Sequence, residues 1–412
     1  MGTQRKKRAP RRAGRMVRWA GMLTLAALAT LCTSQAADWP CWRGAEGNGV
    51  SRESAWNPAA LTDDAKPAWK TNIGAGYSAP SVVGEHLFVM GNKENKDTVY
   101  CLKTATGEEV WHYTYDCKGG DFPGPRATPA VDGRAVYTFS RDGLALCLNA
   151  DDGSVTWKKD VRGEMSATPP GWGFAGSPCV DGELLLLNAG AKGIALQKKN
   201  GQPVWATTGT GGYSTPVPFT VDSQRCVAIF GQKAFYGLDE KTGAELWSYP
   251  WETSYDVNAV DPIFSGKRVL ISSGYGKGSA LLDFSSGKLE LVWQTKTIRS
   301  HFSSSVLIDG SVYGIDGNVG RGAVQCIDFT TGAEKWRQET GFGALIAVNG
   351  KLIMLNEGGD LIVAEASPAG FKEVSSAKTV ISRTCWTAPV FSGGRIYCRN
   401  EKGDLVCLDV SK

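Results

Sequence analysis

The most constraining feature of this chain is a tryptophan that returns at nearly constant intervals behind a glycine. The pattern Gly-x-x-x-Trp is clearest at Gly243–Trp247, and successive tryptophans of the series lie 42 to 48 residues apart. The series consists of Trp69, Trp111, Trp157, Trp205, Trp247, Trp293 and Trp336. One further unit is degenerate, because Val374 stands at its tryptophan position. A fixed period of this length indicates a repeat architecture in which each unit is one supersecondary structure.

Each unit contains short apolar runs separated by turn pairs, as at Asp132-Gly133 and Asp181-Gly182. Such runs predict β-strands joined as hairpins. Four strands in a unit of about 40–45 residues is typical of a β-propeller blade. A single four-stranded sheet cannot bury both of its faces, whereas radial stacking of blades buries them. The tryptophan on the outer strand then anchors each blade on its neighbour.

The two ends of the repeat region complement each other. The last unit, residues 387–410, supplies three strands, and the missing outer strand is available at residues 68–72. Pairing these segments closes the ring and leaves no free sheet edge. We therefore predict an all-β, eight-bladed β-propeller of four-stranded antiparallel blades, closed by pairing of the N- and C-terminal strands. Seven blades is the alternative, if the degenerate unit is only a connector.

The N-terminal region reads as a targeting segment. Eight basic residues between Arg5 and Arg18 precede an apolar run from Trp19 to Leu31, and Ser34-Gln-Ala36 follows. This order predicts a signal peptide over residues 1–36 and an exported protein, periplasmic or secreted. The apolar run is short for a bilayer span, although an uncleaved anchor remains the alternative. We assign residues 37–66 to a lead-in segment and residues 67–412 to the propeller.

Charge and cysteine usage narrow the function classes. The formal charge of +4 comes from the basic N-terminal residues, so the exported part is net negative, which argues against a nucleic-acid partner. No later segment is apolar enough to span a membrane. The eleven cysteines include no C-x-x-C pair. Four share one repeat position and are expected to be buried and reduced: Cys101, Cys147, Cys326 and Cys407. The disulfide candidates are Cys41, Cys117, Cys385 and Cys398.

The repeat resembles a known family. The run Leu238-Asp239-Glu-Lys-Thr242-Gly243-Ala-Glu-Leu-Trp247 is similar to the pyrroloquinoline-quinone-like propeller repeat, and the resemblance extends over residues 67–412. Two kinds of protein carry this repeat. Quinoprotein dehydrogenases are enzymes, and the propeller lipoprotein of the outer-membrane barrel-assembly machinery is a non-enzymatic scaffold. The fold does not choose between them.

The resemblance implies pyrroloquinoline quinone and Ca²⁺ as cofactors only if the chain is a dehydrogenase. A quinone site needs cations for three carboxylates, an aromatic floor, Ca²⁺ ligands and a carboxylate base. The family enzymes place adjacent cysteines against the quinone, and this chain contains no Cys-Cys pair. We therefore favour a non-enzymatic binding or scaffold propeller of the bacterial cell envelope. The alternative is a quinone-dependent alcohol or sugar dehydrogenase.

The candidate binding residues lie where each unit enters its first strand, because those positions rim one mouth of the central channel. Aromatic side chains dominate there, with a few cations, and suit a planar anion or a peptide segment. The candidates are Tyr77, Arg126, Phe174, Tyr213, His301, Phe302, Arg383 and Trp386. The competing interpretation is that these aromatics plug the channel and only stabilise the ring.

Signals for metal or hydrolytic chemistry are weak. Asp256, Asn258 and Asp261 could form a Ca²⁺ corner, but a loop with a turn aspartate is the simpler interpretation. The three histidines fall in separate units, which argues against a histidine metal site. No nucleophile-elbow motif is present. We assign no catalytic residue and no cofactor, and we expect a monomer that binds a protein or another cell-envelope ligand.

Overall fold

The strands form eight four-stranded antiparallel blades, of which the seventh gains one extra parallel strand. The computed structural model describes residues 1–4 and 38–411, so the predicted signal peptide falls outside the described residues apart from residues 1–4. The chain divides after residue 33, and every described strand belongs to the second unit. Residues 1–4 have no regular secondary structure.

Blades are numbered from the first complete one, and their strands run in chain order. Blade 1 comprises Ser81–Val83, His86–Lys93, Lys96–Lys103 and Glu109–Asp116. Blade 2 comprises Ala130–Asp132, Ala135–Phe139, Leu144–Asn149 and Val155–Asp160. Blade 3 comprises Cys179–Asp181, Leu184–Leu187, Ile194–Gln197 and Pro203–Ala206. Blade 4 comprises Val217–Val221, Gln224–Phe230, Ala234–Asp239 and Glu245–Pro250.

The remaining blades follow the same plan. Blade 5 comprises Ile263–Ser265, Arg268–Ser273, Gly278–Asp283 and Glu290–Thr295. Blade 6 comprises Val306–Ile308, Ser311–Asn318, Arg321–Asp328 and Glu334–Glu339. Blade 7 comprises Gly343–Val348, Lys351–Asn356, Leu361–Glu365 and Glu373–Ala377. Blade 8 comprises Val390–Ser392, Arg395–Arg399, Asp404–Asp409 and, from the other end of the chain, Trp69–Asn72.

Few elements lie outside the blades. Val50–Ser51 adds a parallel strand to blade 7, and Ala167–Thr168 pairs in parallel with Gly209–Thr210. Within residues 38–411 the helices are short: an α-helix at Val161–Met165 and a 3₁₀ turn at Ser254–Asp256. No helix in residues 38–411 has the length and hydropathy needed to cross a membrane.

The degenerate unit is a full blade, so the eight-bladed prediction is confirmed and the seven-bladed alternative is wrong. Its outer strand, Glu373–Ala377, pairs in register with Leu361–Glu365 despite the absence of a tryptophan. In blade 8, Trp69 lies opposite Cys407 and Asn72 opposite Asp404. The N-terminal strand thus completes the sheet that the C-terminal residues begin.

The repeated tryptophans all lie at the junction with the following blade. Each lies on the outer strand opposite a residue of the third strand, and that residue is a cysteine in four blades, as at Cys101 and Cys147. In six cases the indole N–H donates to a backbone carbonyl of the next blade, over 2.7 to 3.2 Å. Each of these tryptophans therefore combines apolar packing with a directional bond to its neighbour.

The motif residues around each turn form the surface on which the preceding tryptophan rests. In blade 4, Asp239 accepts from the backbone and hydroxyl of Thr242, and Gly243 adopts a left-handed φ of +70°. A Cβ at Gly243 would lie 2.6 Å from the ring of Trp205. Glycine is required twice over here, by the turn and by the close approach of the indole. The spacing between Asp239, Gly243 and Trp247 recurs because every such blade has two contacts to make. Its turn packs against the tryptophan of the preceding blade, and its own tryptophan packs against the turn of the following blade.

The lead-in segment crosses the channel at the end opposite the predicted rim. Trp39 pairs with Val82 of blade 1, and Pro40 accepts from Val131 of blade 2. The guanidinium of Arg43 donates to the carbonyl of Ser305, at the edge of blade 6, over 2.6 Å. Arg43 and Asp261 are both buried and form an ion pair over 3.8 Å. Burial lowers the pKa of Arg43 and raises that of Asp261, and each charge partly offsets the effect on the other.

The lead-in also covers the junction that lacks a tryptophan. Trp56 packs 5.1 Å from Phe391 of blade 8, in the same apolar cluster as Val374. The hydroxyl of Ser375 donates to the carbonyl of Pro58 over 2.5 Å, so this part of the lead-in follows the outer strand of blade 7. An aromatic side chain from outside the repeat thus fills the apolar junction between blades 7 and 8.

The cysteines are structural. All ten in the described residues are free thiols, so the disulfide candidates Cys41, Cys117, Cys385 and Cys398 are not paired. Burial raises the pKa of the Cys101 thiol to about 12, and the thiol is therefore neutral. A cysteine at this position is a small apolar residue that leaves room for the facing indole.

Replacing Trp247 with alanine should lower the free energy of unfolding by about 3–5 kcal/mol. The indole is buried against Phe219, Phe235 and Phe284, so truncation opens a cavity between blades 4 and 5. Leu246→Ala is the matched control, because Leu246 is 39% exposed and should cost less than about 1 kcal/mol. Urea unfolding measures both. A loss below about 1 kcal/mol for Trp247→Ala would contradict a stabilising role for this packing.

Replacing Arg43 with methionine should also destabilise the ring, by about 3–5 kcal/mol, because it leaves the buried carboxylate of Asp261 uncompensated. The deficit should shrink as the pH falls toward about 4, since protonation of Asp261 removes the unpaired charge. Adding Asp261→Asn should recover part of the loss. Unfolding curves at two pH values test this, and a pH-independent deficit would show that lost packing, not charge, is the cause.

Candidate functional site

The open end of the channel holds a pocket of about 510 Å³. Its walls come from the segments that lead into the first strands, together with hairpin loops of blades 5 and 6. Trp42 of the lead-in also lines it, and contacts the smaller cavity on the other side of the channel as well. The pocket is therefore bounded by the propeller around its sides and by the lead-in at its base.

Six of the eight rim candidates line this pocket. They are Tyr77, Arg126, Tyr213, His301, Phe302 and Trp386. The structure places Phe174 elsewhere: it is buried 5.0 Å from Phe139, between blades, whereas the next residue, Ala175, lines the pocket. Arg383 is also elsewhere, with its side chain 73% exposed and 4.0 Å from Glu357. Chain direction at these two positions turns the side chain away from the channel.

Sequence reasoning missed several pocket residues. Phe122 and Trp172 come from connections between blades, and Tyr275 and Val319 come from hairpin turns. These loops differ in length and have no common position in the repeat, so no periodic signal points to them. Trp42 belongs to the lead-in, and nothing in the sequence around it indicates that this segment enters the channel.

Aromatic contacts make the wall continuous. Tyr77 and Trp386 are stacked with ring centroids 5.6 Å apart, and Phe302 lies 5.4 Å from Trp386. The indole N–H of Trp386 donates to the Glu357 carboxylate over 3.1 Å, which fixes the ring plane. Burial, with a smaller contribution from Glu401, raises the pKa of Tyr77 to about 12, so its hydroxyl is neutral.

Arg126 is the cation of the pocket. Its guanidinium lies 5.7 Å from the centre of the Tyr77 ring and donates from Nη2 to the carbonyl of Phe122 over 3.0 Å. Nη1 is buried and has no hydrogen-bond partner among the described residues, and no carboxylate of that part of the chain pairs with Arg126. Burial, reinforced by Arg141, lowers its pKa to about 10, so the group stays charged at neutral pH.

His301 contributes a neutral ring. It is buried between Tyr275 and Phe302, each with its ring centroid 4.6 Å away. Its Nδ1 lies 2.5 Å from Oδ1 of Asn318. Burial lowers the pKa of His301, more than the bond to Asn318 raises it. The imidazole therefore adds polarity to the wall without adding charge at neutral pH.

A chain of hydrogen bonds links neighbouring blades beneath the pocket. The backbone N–H of Thr128 donates to the Ser177 hydroxyl, that of Ser177 to Thr215, and that of Thr215 to the Asp261 carboxylate. Asp261 in turn donates its own N–H to Ser304 over 3.0 Å. In blades 2 to 5, the residue two positions before the first strand is thus bonded to the next blade, which holds the pocket base in place.

The three calcium candidates are each engaged in other bonds. Asp256 pairs with Lys233 over 2.6 Å. The amide of Asn258 donates to three backbone carbonyls and accepts from Ser273, all inside the protein. Asp261 accepts from Trp42 over 2.6 Å and from Thr215 over 2.9 Å. Their oxygens do not form a Ca²⁺ cage, and no group of three potential metal ligands occurs within residues 38–411.

Comparison with known proteins gives both scaffold and enzyme neighbours. The chain is 23% identical over 322 residues to the outer membrane protein assembly factor BamB of Moranella endobia (strain PCIT), covering 74% of this chain and 80% of that protein. The crystal structure of BamB from Moraxella catarrhalis aligns with a TM-score of 0.61 at 14% identity, over 82% of this chain and 97% of that one. The quinohemoprotein alcohol dehydrogenase of Comamonas testosteroni aligns with a TM-score of 0.71 at 15% identity, over 91% of this chain and 80% of that one.

The structural likenesses, at these identities, show a shared fold and no more. The family model is more informative, because it matches sequence along most of the repeat region. The model described as outer membrane protein assembly factor BamB matches residues 95–338 and 320–412, which is more than half of the chain. The chain therefore belongs to the pyrroloquinoline-quinone-like repeat family of the outer membrane protein assembly factor BamB.

Proposed function

We propose that this chain is an exported, non-enzymatic binding and scaffolding propeller of the bacterial cell envelope. The observation that carries this proposal is the state of Asp261. It is the one carboxylate that lines the pocket in the described part of the chain, and Trp42, Thr215 and Arg43 already engage it. A carboxylate held in this way is a structural anchor and does not serve as a general base.

The residues present do not fit a quinone with calcium. A tricarboxylate needs several cations, whereas Arg126 is the only basic side chain, apart from neutral His301, among the described residues that line the pocket. The three calcium candidates are committed to other bonds, and the chain lacks the adjacent cysteines of the family enzymes. The aromatic wall alone is common to a quinone site and to a site for another apolar ligand.

The family supports the proposed partner and location. The Moranella endobia relative is named for outer membrane protein assembly, and that name supports a protein partner in the envelope. The N-terminal signal pattern supports a periplasmic location for this chain. We further propose that it acts as a monomer and binds no nucleic acid.

Purified protein supplied with pyrroloquinoline quinone, Ca²⁺ and an alcohol or sugar should not reduce an electron-accepting dye. The reason is that no described pocket residue offers a free carboxylate base or a metal cage. A quinoprotein dehydrogenase treated with the same reagents serves as the positive control. Turnover above the protein-free background would overturn the proposal in favour of a dehydrogenase.

Titration with the quinone separates binding from turnover. We expect no saturable change in absorbance or tryptophan fluorescence, for the native protein or for Trp386→Ala. If the chain is instead a quinone-dependent oxidoreductase, the native protein should bind tightly and Trp386→Ala should bind more weakly. Saturable binding lost in that variant would contradict the scaffold assignment.

A further inference from the structure

Arg126 is unusual because the protein does not neutralise it. Its Nη1 atom is buried and unbonded within the described residues, although the rest of the group is held by backbone carbonyls of the loop at residues 121–122. The nearby Arg141 also bonds only to backbone carbonyls, of Asp121 and Trp172. Arg141 does not line the pocket, so Arg126 is the one guanidinium among the described residues that a ligand in the pocket would meet. A guanidinium that lines a pocket and has no carboxylate partner among the described residues favours an anion from outside the protein.

The rest of the pocket is apolar and large. Tyr77, Phe302 and Trp386 form one wall, Tyr213 and Trp172 another, and about 510 Å³ lies between them. His301 and the pocket hydroxyls are neutral. A ligand that matches these walls therefore carries an aromatic group next to a single negative charge.

Apolar surface continues outward from the mouth of the pocket. Phe122 is 47% exposed, Val319 43% and Tyr255 72%. The Tyr255 ring lies 5.3 Å from Tyr275 and 6.3 Å from Trp172, both of which line the pocket. Phe122, Tyr255 and Tyr275 all have a left-handed backbone, with φ between 52° and 62°. Bulky residues rarely adopt this conformation, and loops that keep it point to a functional surface.

We propose that the channel mouth binds a peptide segment in which an aromatic side chain lies beside a single carboxylate: the ring occupies the aromatic pocket, the carboxylate pairs with the guanidinium of Arg126, and the flanking chain rests on Phe122, Tyr255 and Val319. This inference rests on the proposed binding function and names the class of ligand. The exposed rim favours a peptide over a free small acid, because a small acid would leave the rim uncovered. The single unpaired cation of the pocket favours one carboxylate over three.

Two sources present this chemistry, the C-terminal residue of a chain that ends in an aromatic side chain and an internal aromatic residue beside Asp or Glu. The test uses fluorescein-labelled peptides and fluorescence anisotropy with the full-length protein. The four peptides share an alanine-rich flank and form two acid/neutral pairs. In the first pair the chain ends in Phe, with a free carboxylate in one peptide and an amide in the other. In the second pair the end is amidated and the chain contains internal Phe-Asp in one peptide and internal Phe-Asn in the other. Phenylpropionate serves as an unlabelled competitor.

We expect at least one acid peptide to bind at least tenfold more tightly than its neutral counterpart, and the stronger acid peptide identifies the source. The proposal would be overturned if the acid and neutral peptides of both pairs had equal Kd values, or if both acid peptides had Kd values above about 1 mM. Phenylpropionate should compete more weakly than the peptide. If it competes as well as the peptide, the flanking rim contributes nothing and the peptide assignment is wrong.

Arg126→Met tests the charged contact while keeping most of the side-chain volume. This substitution should lower the affinity for the preferred acid peptide at least tenfold and leave the affinity for its neutral counterpart unchanged. A general loss of folding would not give this pattern. Arg134→Met is the matched control, because Arg134 is an exposed arginine that pairs with Asp151 away from the pocket. Thermal melting verifies that both variants fold. An equal effect of Arg126→Met on the acid and neutral peptides would contradict the proposal.

Peptide binding and the proposed scaffold function fail in different experiments. Turnover with the quinone would remove the scaffold assignment whatever the peptides do. Absence of peptide binding, with no turnover, would leave a scaffold whose partner binds elsewhere.

Discussion

The packing of a tryptophan from one blade onto the turn of the next is the interaction on which the ring depends. A four-stranded blade has two apolar faces and cannot persist alone, so its stability comes from its neighbours. The indole supplies a large apolar area and an N–H that reaches a backbone carbonyl across the junction, as Trp205 does at Glu240. The glycine of the receiving turn makes the approach possible. The glycine and the tryptophan of one Gly-x-x-x-Trp motif therefore take part in different contacts, one with the preceding blade and one with the following blade. Both contacts are needed at each blade, so the two residues recur together.

Ring closure creates a channel, and the two ends of the channel differ. The lead-in fills one end with Trp39, Trp42 and Arg43, and Asp261 neutralises the charge of Arg43. The other end stays open and is lined by aromatic side chains around an arginine that the protein leaves without a carboxylate. This asymmetry gives a repetitive ring a single open mouth, which is the binding face that we propose. The pocket of about 510 Å³ between the rim aromatics shows that they do not fill this end of the channel.

Much of the fold could be predicted because it follows from local periodicity. The spacing of the tryptophans located the blades, and the surplus strand at Trp69 located the partner of the C-terminal sheet. At the site, Tyr77, Arg126, Tyr213 and Trp386 were predicted because they occupy one position of the repeat, and His301 and Phe302 because they lie one or two residues before it. Phe174 was misplaced although it occupies the same repeat position as Phe302, because its ring packs against Phe139 between blades. Trp172, Tyr275 and Val319 were missed because they lie on irregular loops, where no period operates.

The sequence alone determined the fold class and the residues that join blade to blade, and it favoured eight blades over seven, since these features depend on contacts at fixed separations along the chain. Only the tertiary structure decided that Asp261 is a buried anchor for the lead-in and not a calcium ligand. It also decided that Arg126 keeps an unbonded donor in an aromatic pocket. Both results depend on side chains brought together from distant units. These contacts depend on how the ring closes and on where the loops lie, so no local sequence pattern predicts them.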